Sequence, residues 1–255
     1  MVYVTGDCHA DFSRFSTKIF TEQKEMTKED CVIICGDFGG IWYNDDGTTF
    51  SKEEKYWLDW LEGKPFTTLF VDGNHENHKR LNAWEVSDWH GGKVHKIRPS
   101  VIHLMRGEVY NIEGLKFFAF GGASSHDISD GIIEMDEEGE WRKKDKQWAR
   151  EGKMYRVKDL SWWEEELPTD EEMQNGLSNL KRVNNQVDFI ITHTPYASII
   201  ATLGWGLYKQ DRLTKYLQQI KETTSYKKWF CGHMHVNEQC EDDTLILYEQ
   251  IIRIH

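Results

Sequence analysis

The stretch CVIICGD, residues 31–37, indicates the fold class, because an unbroken apolar run ends directly at Gly36 and Asp37. Apolar residues without alternation are typical of a strand that is buried on both faces, as in a parallel sheet. The runs VYVTGD (2–7) and TTLFVDGNHE (67–76) have the same layout and also end in polar turns. These three runs predict neighbouring buried strands whose carboxyl ends carry the polar residues.

Helical segments separate these strands. Residues 11–25 and 51–62 place apolar side chains at roughly helical spacing. Short β runs divided by glycine turns over 101–121 predict antiparallel strands or a meander. Residues 187–193 and 228–235 predict further buried strands. We therefore expect an α/β sandwich in which the early strands are parallel and antiparallel partners are added later.

The chain length of 255 residues favours one large domain, 1–255, over two small ones. Residues 122–186 differ from the rest, because they are polar, rich in tryptophan and carry blocks of acidic and basic residues. We predict that this stretch is an insertion that forms a cap within the domain.

The composition bears on partners and location. The net charge of −12 disfavours nucleic acid as a partner, although bound divalent cations would reverse the sign inside a site. No apolar run reaches the ~18–20 residues that a membrane helix needs, so no membrane contact is expected. Five cysteines without a C-x-x-C pair indicate buried thiols in a reducing compartment. The expected location is the cytoplasm.

Five strand-like runs end in side chains that can bind metal ions. In an open α/β sheet, ligands bind outside the carboxyl ends of the strands, so five separate segments would deliver these side chains to one edge. Each of them alone is typical of turn or capping chemistry, but their convergence predicts a metal centre. The candidate ligands are Asp7, His9, Asp37, Asn74, His193, His233 and His235.

The residue types restrict the choice of metal. Carboxylates, imidazoles and an amide oxygen are hard-to-borderline ligands, which suit Mn, Fe, Zn, Co or Ni. The pairs Asp7-x-His9 and His233-x-His235 can each point at one site, because alternate residues of an extended segment face the same way. A structural zinc site of the cysteine type is not implied.

The ordered series D-x-H, G-D, G-N-H-E, T-H and G-H-x-H spans residues 5 to 235 and resembles the calcineurin-like metallophosphoesterase superfamily. The resemblance implies a four-layer α/β/β/α sandwich of mixed sheets and two divalent or trivalent metal ions, with manganese expected in vitro. It also implies that Asp37 bridges the two ions. One ion would be bound by Asp7, His9 and His235, and the other by Asn74, His193 and His233.

The chemistry implied by this resemblance is phosphoester hydrolysis. Two metal ions can activate a bridging water as hydroxide and hold phosphoryl oxygens for in-line displacement. His75 resembles the non-ligand histidine of the superfamily, which protonates the leaving oxygen or stabilises the phosphoryl group. The catalytic residues would then be Asp37 and His75, and the partner would be a phosphorylated small molecule or protein.

The sequence departs from the superfamily after Asp37. The protein phosphatases have an Asp and an Arg there, in the pattern G-D-x-x-D-R-G, whereas this chain continues Phe-Gly-Gly-Ile-Trp over 38–42. We expect replacement groups from the loop GGASSHDISD, residues 121–130. The residues predicted to contact substrate are Asn74, Arg80, Ser124 and Asp127.

Three functions are compatible with these residues. The first is hydrolysis of phosphate monoesters, including phosphoserine or phosphothreonine in proteins. Glu76 favours it, because G-N-H-E is the phosphatase form of the motif. The second is a phosphodiesterase acting on nucleotides or nucleic acid, which the missing Asp and Arg leave open. The third is a non-catalytic scaffold of the same fold, which the complete ligand set and the retained His75 disfavour.

Overall fold

Two mixed β-sheets form the centre of the protein, in a computed structural model that describes residues 1–42, 50–203, 210–240 and 243–255. The strands of the described residues are, in chain order, β1 (Val2–Thr5), β2 (Cys31–Ile34), β3 (Thr67–Phe70), β4 (Val86–Trp89), β5 (Gly92–Arg98), β6 (Val101–Leu104), β7 (Glu108–Ile112), β8 (Leu115–Phe120), β9 (Gly131–Ile133), β10 (Tyr155–Val157), β11 (Phe189–Thr192), β12 (Lys228–Cys231), β13 (Glu238–Cys240), β14 (Thr244–Ile246) and β15 (Ile251–Arg253).

Helices lie outside the two sheets. The α-helices of the described residues are α1 (Lys52–Glu62), α2 (His78–Asn82), α3 (Trp141–Arg150), α4 (Asp170–Arg182), α5 (Ala197–Leu203) and α6 (Arg212–Thr223). Short 3-10 helices cover Ser13–Phe15, Thr21–Glu25 and Glu164–Glu166.

The central strands of both sheets are parallel. The first sheet has the order β15-β1-β2-β3-β6-β5-β4, and its strands β1, β2, β3 and β6 run parallel to their neighbours in this set, as predicted for the early strands. The second sheet has the order β13-β14-β12-β11-β8-β7, in which β8, β11, β12 and β14 are parallel. Parallel strands have their carboxyl ends at a common edge, so the residues that follow them are brought together.

Side-chain alternation along the strands separates three hydrophobic clusters. Ile33 and Leu69 of the first sheet share the inner cluster with Phe117 and Phe230 of the second, so the two sheets pack face to face. The other face of the first sheet packs against α1, and the other face of the second packs against α4, α5 and α6. Each fully buried side chain of this size contributes roughly 1.5–3 kcal/mol. The predicted four-layer α/β/β/α sandwich is therefore confirmed.

The helix predicted over 11–25 is wrong in type. The segment forms two short 3-10 helices, and Ile19, which helical spacing placed on the apolar face, is 64% exposed. The buried amide of Gln23 donates to the backbone oxygens of Phe15 and Phe20, at 2.9 and 2.6 Å. Those carbonyl groups therefore pair with a side chain instead of continuing an α-helical ladder.

The meander predicted over 101–121 is divided between the two sheets. β6 pairs with β3 and β5 in the first sheet, whereas β7 and β8 form an antiparallel hairpin in the second. The chain passes from one sheet to the other between Leu104 and Glu108. Glycine turns in the sequence locate the strand ends, but they do not tell which sheet each strand joins.

The stretch 122–186 contains β9, α3, β10, a 3-10 helix and α4. β9 and β10 form a separate parallel pair, and none of the residues of α3 is buried. α4 differs, because its Leu180 belongs to the outer cluster of the second sheet. The role of this stretch as a cap stays a prediction.

None of the helices in the described parts of the chain combines the length and the apolar character that crossing a bilayer requires.

Candidate metal centre

The predicted ligands follow five parallel strands and meet at one edge of the sandwich. The turns after β1, β2 and β3 come from the first sheet, and those after β11 and β12 come from the second. All seven side chains take part in one connected set of neighbouring contacts, in which His9 and Asp37 join the two halves. Because they approach from two packed sheets, the site lies where the two sheets meet.

One group of candidate ligands consists of Asp7, His9, Asp37 and His235. One potential ligand atom from each lies within 4.8 Å of those of the others. The Nε2 atoms of His9 and His235 are 3.0 Å apart, and His235 Nε2 is 3.1 Å from Asp7 Oδ2. Two imidazoles and two carboxylates at these separations are a ligand set of the kind that suits a transition-metal cation.

A second group is centred on His193, which is fully buried. Its Nε2 lies 3.2 Å from Asn74 Oδ1, and its ring centroid is 4.9 Å from that of His233. His193 Nδ1 lies 2.8 Å from the backbone oxygen of Cys35, to which it can donate a proton. In the neutral form of His193, that hydrogen bond leaves the lone pair on Nε2, directed at the other members of the group, which is how metal-binding histidines are commonly oriented.

Asp37 lies between the two groups. Its Oδ2 is 3.7 Å from His9 Nε2, and its Oδ1 is 3.4 Å from His193 Nε2. Oδ2 is buried and has no hydrogen-bond partner among the described residues. A buried carboxylate oxygen without a donor is costly unless a cation compensates it, so the arrangement fits bound metal ions.

The backbone around the ligands is unusual in two respects. His9, Asp37, His233 and His235 all have positive φ values, between 44° and 67°, and non-glycine residues in this region cluster at functional sites. Gly73 supplies space, because a Cβ atom there would lie 2.0 Å from Asp37 Oδ1. The glycine before Asn74 is therefore required by the close approach of two turns.

The pKa values of the buried carboxylates and imidazoles of the centre depend on one another. Burial alone would lower the pKa of His193, but the carboxylates of Asp37 and Asp7 raise it to about 10. Burial alone would raise the pKa of Asp37, but the neighbouring histidines, His193 first among them, hold it well below its usual range. Burial keeps the pKa of His233 well below its usual value, so this imidazole is neutral and can act as a ligand.

Glu76 supports the turn that carries Asp37. It is 1% exposed, and its Oε1 accepts a 2.6 Å hydrogen bond from the backbone N–H of Phe38. Its Oε2 accepts another from Gly39 N–H at 3.2 Å. Burial, together with the nearby Asp37 and Asp72 carboxylates, raises the pKa of Glu76 well above its usual value. The last residue of the G-N-H-E motif therefore faces the protein interior.

His75 lies beside the ligand groups without joining them. Its backbone N–H donates to Asp37 Oδ1 at 2.8 Å, and its ring lies edge-on to His9 with centroids 5.3 Å apart. A cavity of about 240 Å³ begins next to it, and Trp42, Trp57 and Arg156 also line this cavity. His75 thus stands between the metal ligands and an open space.

The loop after β8 contacts the centre through Ser125. Its Oγ accepts a 3.2 Å hydrogen bond from Asn74 Nδ2 and donates one of 2.6 Å to Glu166 Oε2. The predicted substrate contact, Ser124, is half-buried on the same loop. The sequence pointed to the loop that carries Ser125 but selected Ser124 as the contact, and it gave Glu166 no role at the site. Nothing in a polar loop distinguishes one serine from its neighbour, and Glu166 is distant along the chain.

Asp127, on the same loop, forms an ion pair with Arg156 of β10. Arg156 lines the same cavity as His75, so the ion pair lies beside that cavity. Asp127 was predicted as a substrate contact, but Arg156 was missed, because the run YRV has no feature that separates this arginine from a surface residue.

Arg80 lies in a buried ion pair. Its Nη1 is 2.7 Å from Glu54 Oε1, and both side chains are 4% exposed. The same Glu54 oxygen accepts a hydrogen bond from Trp42 N–H. Arg80 does not line the cavity beside His75. This position gives Arg80 a role in holding α1 and the turn at Trp42 together.

Replacing Arg80 with Ala is expected to lower the free energy of unfolding by about 3–5 kcal/mol, because it removes the positive charge that balances the buried Glu54 carboxylate. Arg212→Ala is the matched control, since its ion pair with Asp170 is exposed and should contribute about 0–1 kcal/mol. Urea unfolding followed by circular dichroism measures both. Equal, small losses for the two variants would argue against the structural role of Arg80.

Comparison of the sequence with known proteins identifies a family. The sequence model of a family described as calcineurin-like phosphoesterase matches residues 1–237. A lariat debranching enzyme of Drosophila pseudoobscura pseudoobscura is 22% identical over 249 residues, which are 92% of this chain and 42% of the relative. Lariat debranching enzyme A of Xenopus laevis is 27% identical over 143 residues, which are 52% of this chain and 26% of the relative.

The human lariat debranching enzyme is 22% identical over 246 residues, which again cover 92% of this chain. The chain spans less than half the length of each of these three relatives. At the level of the family, the match confirms the predicted enzyme class, a metal-dependent phosphoric ester hydrolase. With its ligand-bearing strand ends and a match over nearly its whole length, the chain belongs to the calcineurin-like phosphoesterase family.

Proposed function

We propose that the chain is a metal-dependent phosphodiesterase. The observation that carries this proposal is the position of Asp37, whose two carboxylate oxygens face one histidine of each ligand group, with Oδ2 buried and without a hydrogen-bond donor among the described residues. A carboxylate so placed suits two cations on either side of it.

Two metal ions would be held by the seven ligands. Asp7, His9 and His235 would bind one ion, and Asn74, His193 and His233 the other, with Asp37 shared between them. When bound, such ions supply positive charge for the phosphoryl oxygens and lower the pKa of water to make a nucleophile. Mn, Fe, Zn, Co and Ni all suit these ligands, and Mn²⁺ is the ion we would supply in vitro.

The protein's own groups would orient the substrate and handle protons. His75 lies at the boundary between the ligand groups and the cavity, so its imidazole can donate a proton to a leaving oxygen that departs into the cavity. The backbone N–H of His75 donates a hydrogen bond to Asp37 Oδ1. This bond fixes the position of His75, the proposed acid, relative to Asp37, the proposed shared ligand.

The monoester prediction was motivated by the ligand set, His75 and Glu76, and only Glu76 favoured a monoester over a diester. That carboxylate faces the interior and binds the backbone of Phe38 and Gly39. A Glu at this position therefore stabilises the turn after Asp37. It does not distinguish a monoester from a diester substrate. A monoester preference, including activity on phosphoproteins, becomes an outcome of the test below.

The cavity beside His75 favours a diester. It offers room for an ester arm, and Trp42 and Trp57 give it two aromatic walls. Its charged lining is mixed, since Glu53 and Glu54 contribute carboxylates and Arg156 a guanidinium. A phosphodiester carries one negative charge where a monoester carries up to two, so it meets less repulsion there.

The names of the relatives agree with a diester. A debranching reaction separates two parts of a chain, and a phosphoester that joins two parts is a diester. The net charge of −12, from which we predicted that nucleic acid is disfavoured, describes the whole surface. Two bound cations would reverse the sign locally, so nucleotides and nucleic acid stay among the candidate substrates.

Turnover of paired aryl esters tests the proposal. Protein loaded with Mn²⁺, and shown by elemental analysis to hold it, is assayed with bis(p-nitrophenyl) phosphate and with p-nitrophenyl phosphate. We expect kcat/KM for the diester to exceed that for the monoester by at least roughly tenfold, or about 1.4 kcal/mol. The reverse preference would establish a monoesterase. Absence of turnover in loaded protein, across several metals, would establish the scaffold.

Replacing Ser125 with Ala is expected to weaken Mn²⁺ binding by about 10–100-fold, because Asn74 loses the hydrogen bond that directs its oxygen at the second ligand group. Isothermal titration calorimetry measures the affinity. Ser124→Ala is the matched control on the same loop and should bind like the parent protein. An unchanged affinity in Ser125→Ala would show that Asn74 needs no such support.

A further inference from the structure

In the turn after Asp37, the described residues 38–42 carry no charged side chain that could lie beside His75. Gly39 and Gly40 line the cavity there, and neither brings a side chain to it. A Cβ atom at Gly40 would lie 2.4 Å from the ring of Phe38, so the packing of this turn has no room for a larger residue. Among the described residues, the charged groups that line the cavity on this side of His75 therefore come from other parts of the chain.

Arg156 of β10 comes from such a part. It lines the cavity together with His9 and His75, and among the described residues that do so it is the one lysine or arginine. A guanidinium has a planar fork of donors that matches the oxygens of a phosphate. Its side chain is 26% exposed, so the group is partly desolvated yet reachable from the cavity.

Asp127 holds the guanidinium of Arg156 in place. The two residues are 29 positions apart, on the loop after β8 and on β10, so the ion pair joins two separate segments beside the cavity. Asp127 uses Oδ2 for this contact, and its Oδ1 is buried without a hydrogen-bond partner in the described parts of the chain. One oxygen of Asp127 thus fixes the arginine and the other faces no donor.

We propose that Arg156 binds the non-bridging oxygens of the substrate phosphate, and that Asp127 is the positioning residue that aims it. This inference rests on the proposed phosphoesterase function. The pair takes the place of the Asp and Arg that the sequence lacks after Asp37, but it comes from the 122–186 stretch. That stretch thereby contributes directly to substrate binding.

Inorganic phosphate serves as the probe, because its binding does not depend on turnover. Calorimetric titration of phosphate into the Mn²⁺-loaded protein is expected to show at least about tenfold weaker binding for Arg156→Ala. Arg156→Lys should recover part of the affinity, because it keeps the charge but not the fork. Lys158→Ala is the matched control, since this neighbour pairs with Glu134 outside the cavity.

Kinetics with the aryl diester give the second measurement. Arg156→Ala should lower kcat/KM by about 10²–10³-fold, the usual effect of removing one donor to a developing anionic oxygen. Asp127→Asn should give a smaller loss, and the double variant should be no worse than Arg156→Ala, because Asp127 acts through the arginine. Metal content and thermal unfolding of each variant verify that the centre and the fold are intact.

The outcomes separate this inference from the function it rests on. If the parent protein binds phosphate but hydrolyses no ester, the proposed function fails while the arginine is still tested by titration. If intact, Mn²⁺-loaded Arg156→Ala binds phosphate and turns over the diester like Lys158→Ala, the inference is overturned. Additive losses in the double variant would remove Asp127 from the positioning role.

Discussion

Replacing Asp37 with Asn is expected to lower kcat/KM by about 10³-fold or more and to reduce the metal content of the purified protein. The two side chains have nearly the same shape, so the change removes charge and one oxygen without opening a cavity. The lost oxygen matters because Oδ1 and Oδ2 face different ligand groups, towards His193 and His9. Elemental analysis gives the number of bound ions, and turnover of the aryl diester gives the rate.

Asp59→Asn is the control for Asp37→Asn. It makes the same chemical change on α1, where the carboxylate is 54% exposed and pairs with Arg98. This variant should keep its metal and its activity. Full metal content and parental turnover in Asp37→Asn would contradict the shared-ligand assignment, whereas loss of metal with an unchanged melting profile of the metal-free protein would support it.

Replacing His75 with Asn is expected to lower kcat by about 10²–10⁴-fold for a diester with an alkoxide leaving group, while both ions stay bound. The expectation follows from the place of His75 beside the ligands but outside both groups, at the opening of the cavity. Such a loss raises the barrier by about 3–5 kcal/mol. A nitrophenolate needs little protonation as it leaves, so its hydrolysis should suffer much less.

The dependence on leaving group distinguishes an acid from a structural residue. Esters of graded leaving-group basicity should give a steeper rate dependence in His75→Asn than in the parent protein. His90→Asn provides the control, because His90 is exposed between β4 and β5, away from the centre. A uniform loss for all leaving groups would show that the His75 side chain supports the site without transferring a proton, since its backbone contact with Asp37 is unchanged in this variant.

Most of the fold could be predicted from the sequence where a buried strand runs straight into a polar turn. β1, β2, β3, β11 and β12 all have that layout, and the structure confirms them. The segment 11–25 failed because its spacing is near-helical while its backbone carbonyls bind Gln23. The transfer of the chain between sheets after β6 also escaped prediction, because short β runs look alike in either sheet.

The substrate side of the centre was much less predictable. Asn74 contacts Ser125 over 51 positions, and Ser125 contacts Glu166 over 41. Arg80 was predicted as a phosphate contact because it follows the G-N-H-E motif. Its guanidinium instead lies in the interior, where it donates to Glu54 of α1, 26 positions away. Sequence proximity to a motif is therefore a weak guide to which side chains reach the cavity.

The sequence by itself determined where the candidate metal ligands lie, because a buried strand must end and the polar residues that follow it lie at that end. Parallel pairing then brings all the ends to one edge. Only the tertiary structure decided what surrounds them. It turned Glu76 inward, paired Arg80 with Glu54 and brought Arg156 beside His75. Those positions depend on the paths of loops and on buried charge pairing between distant segments, and no local pattern encodes either.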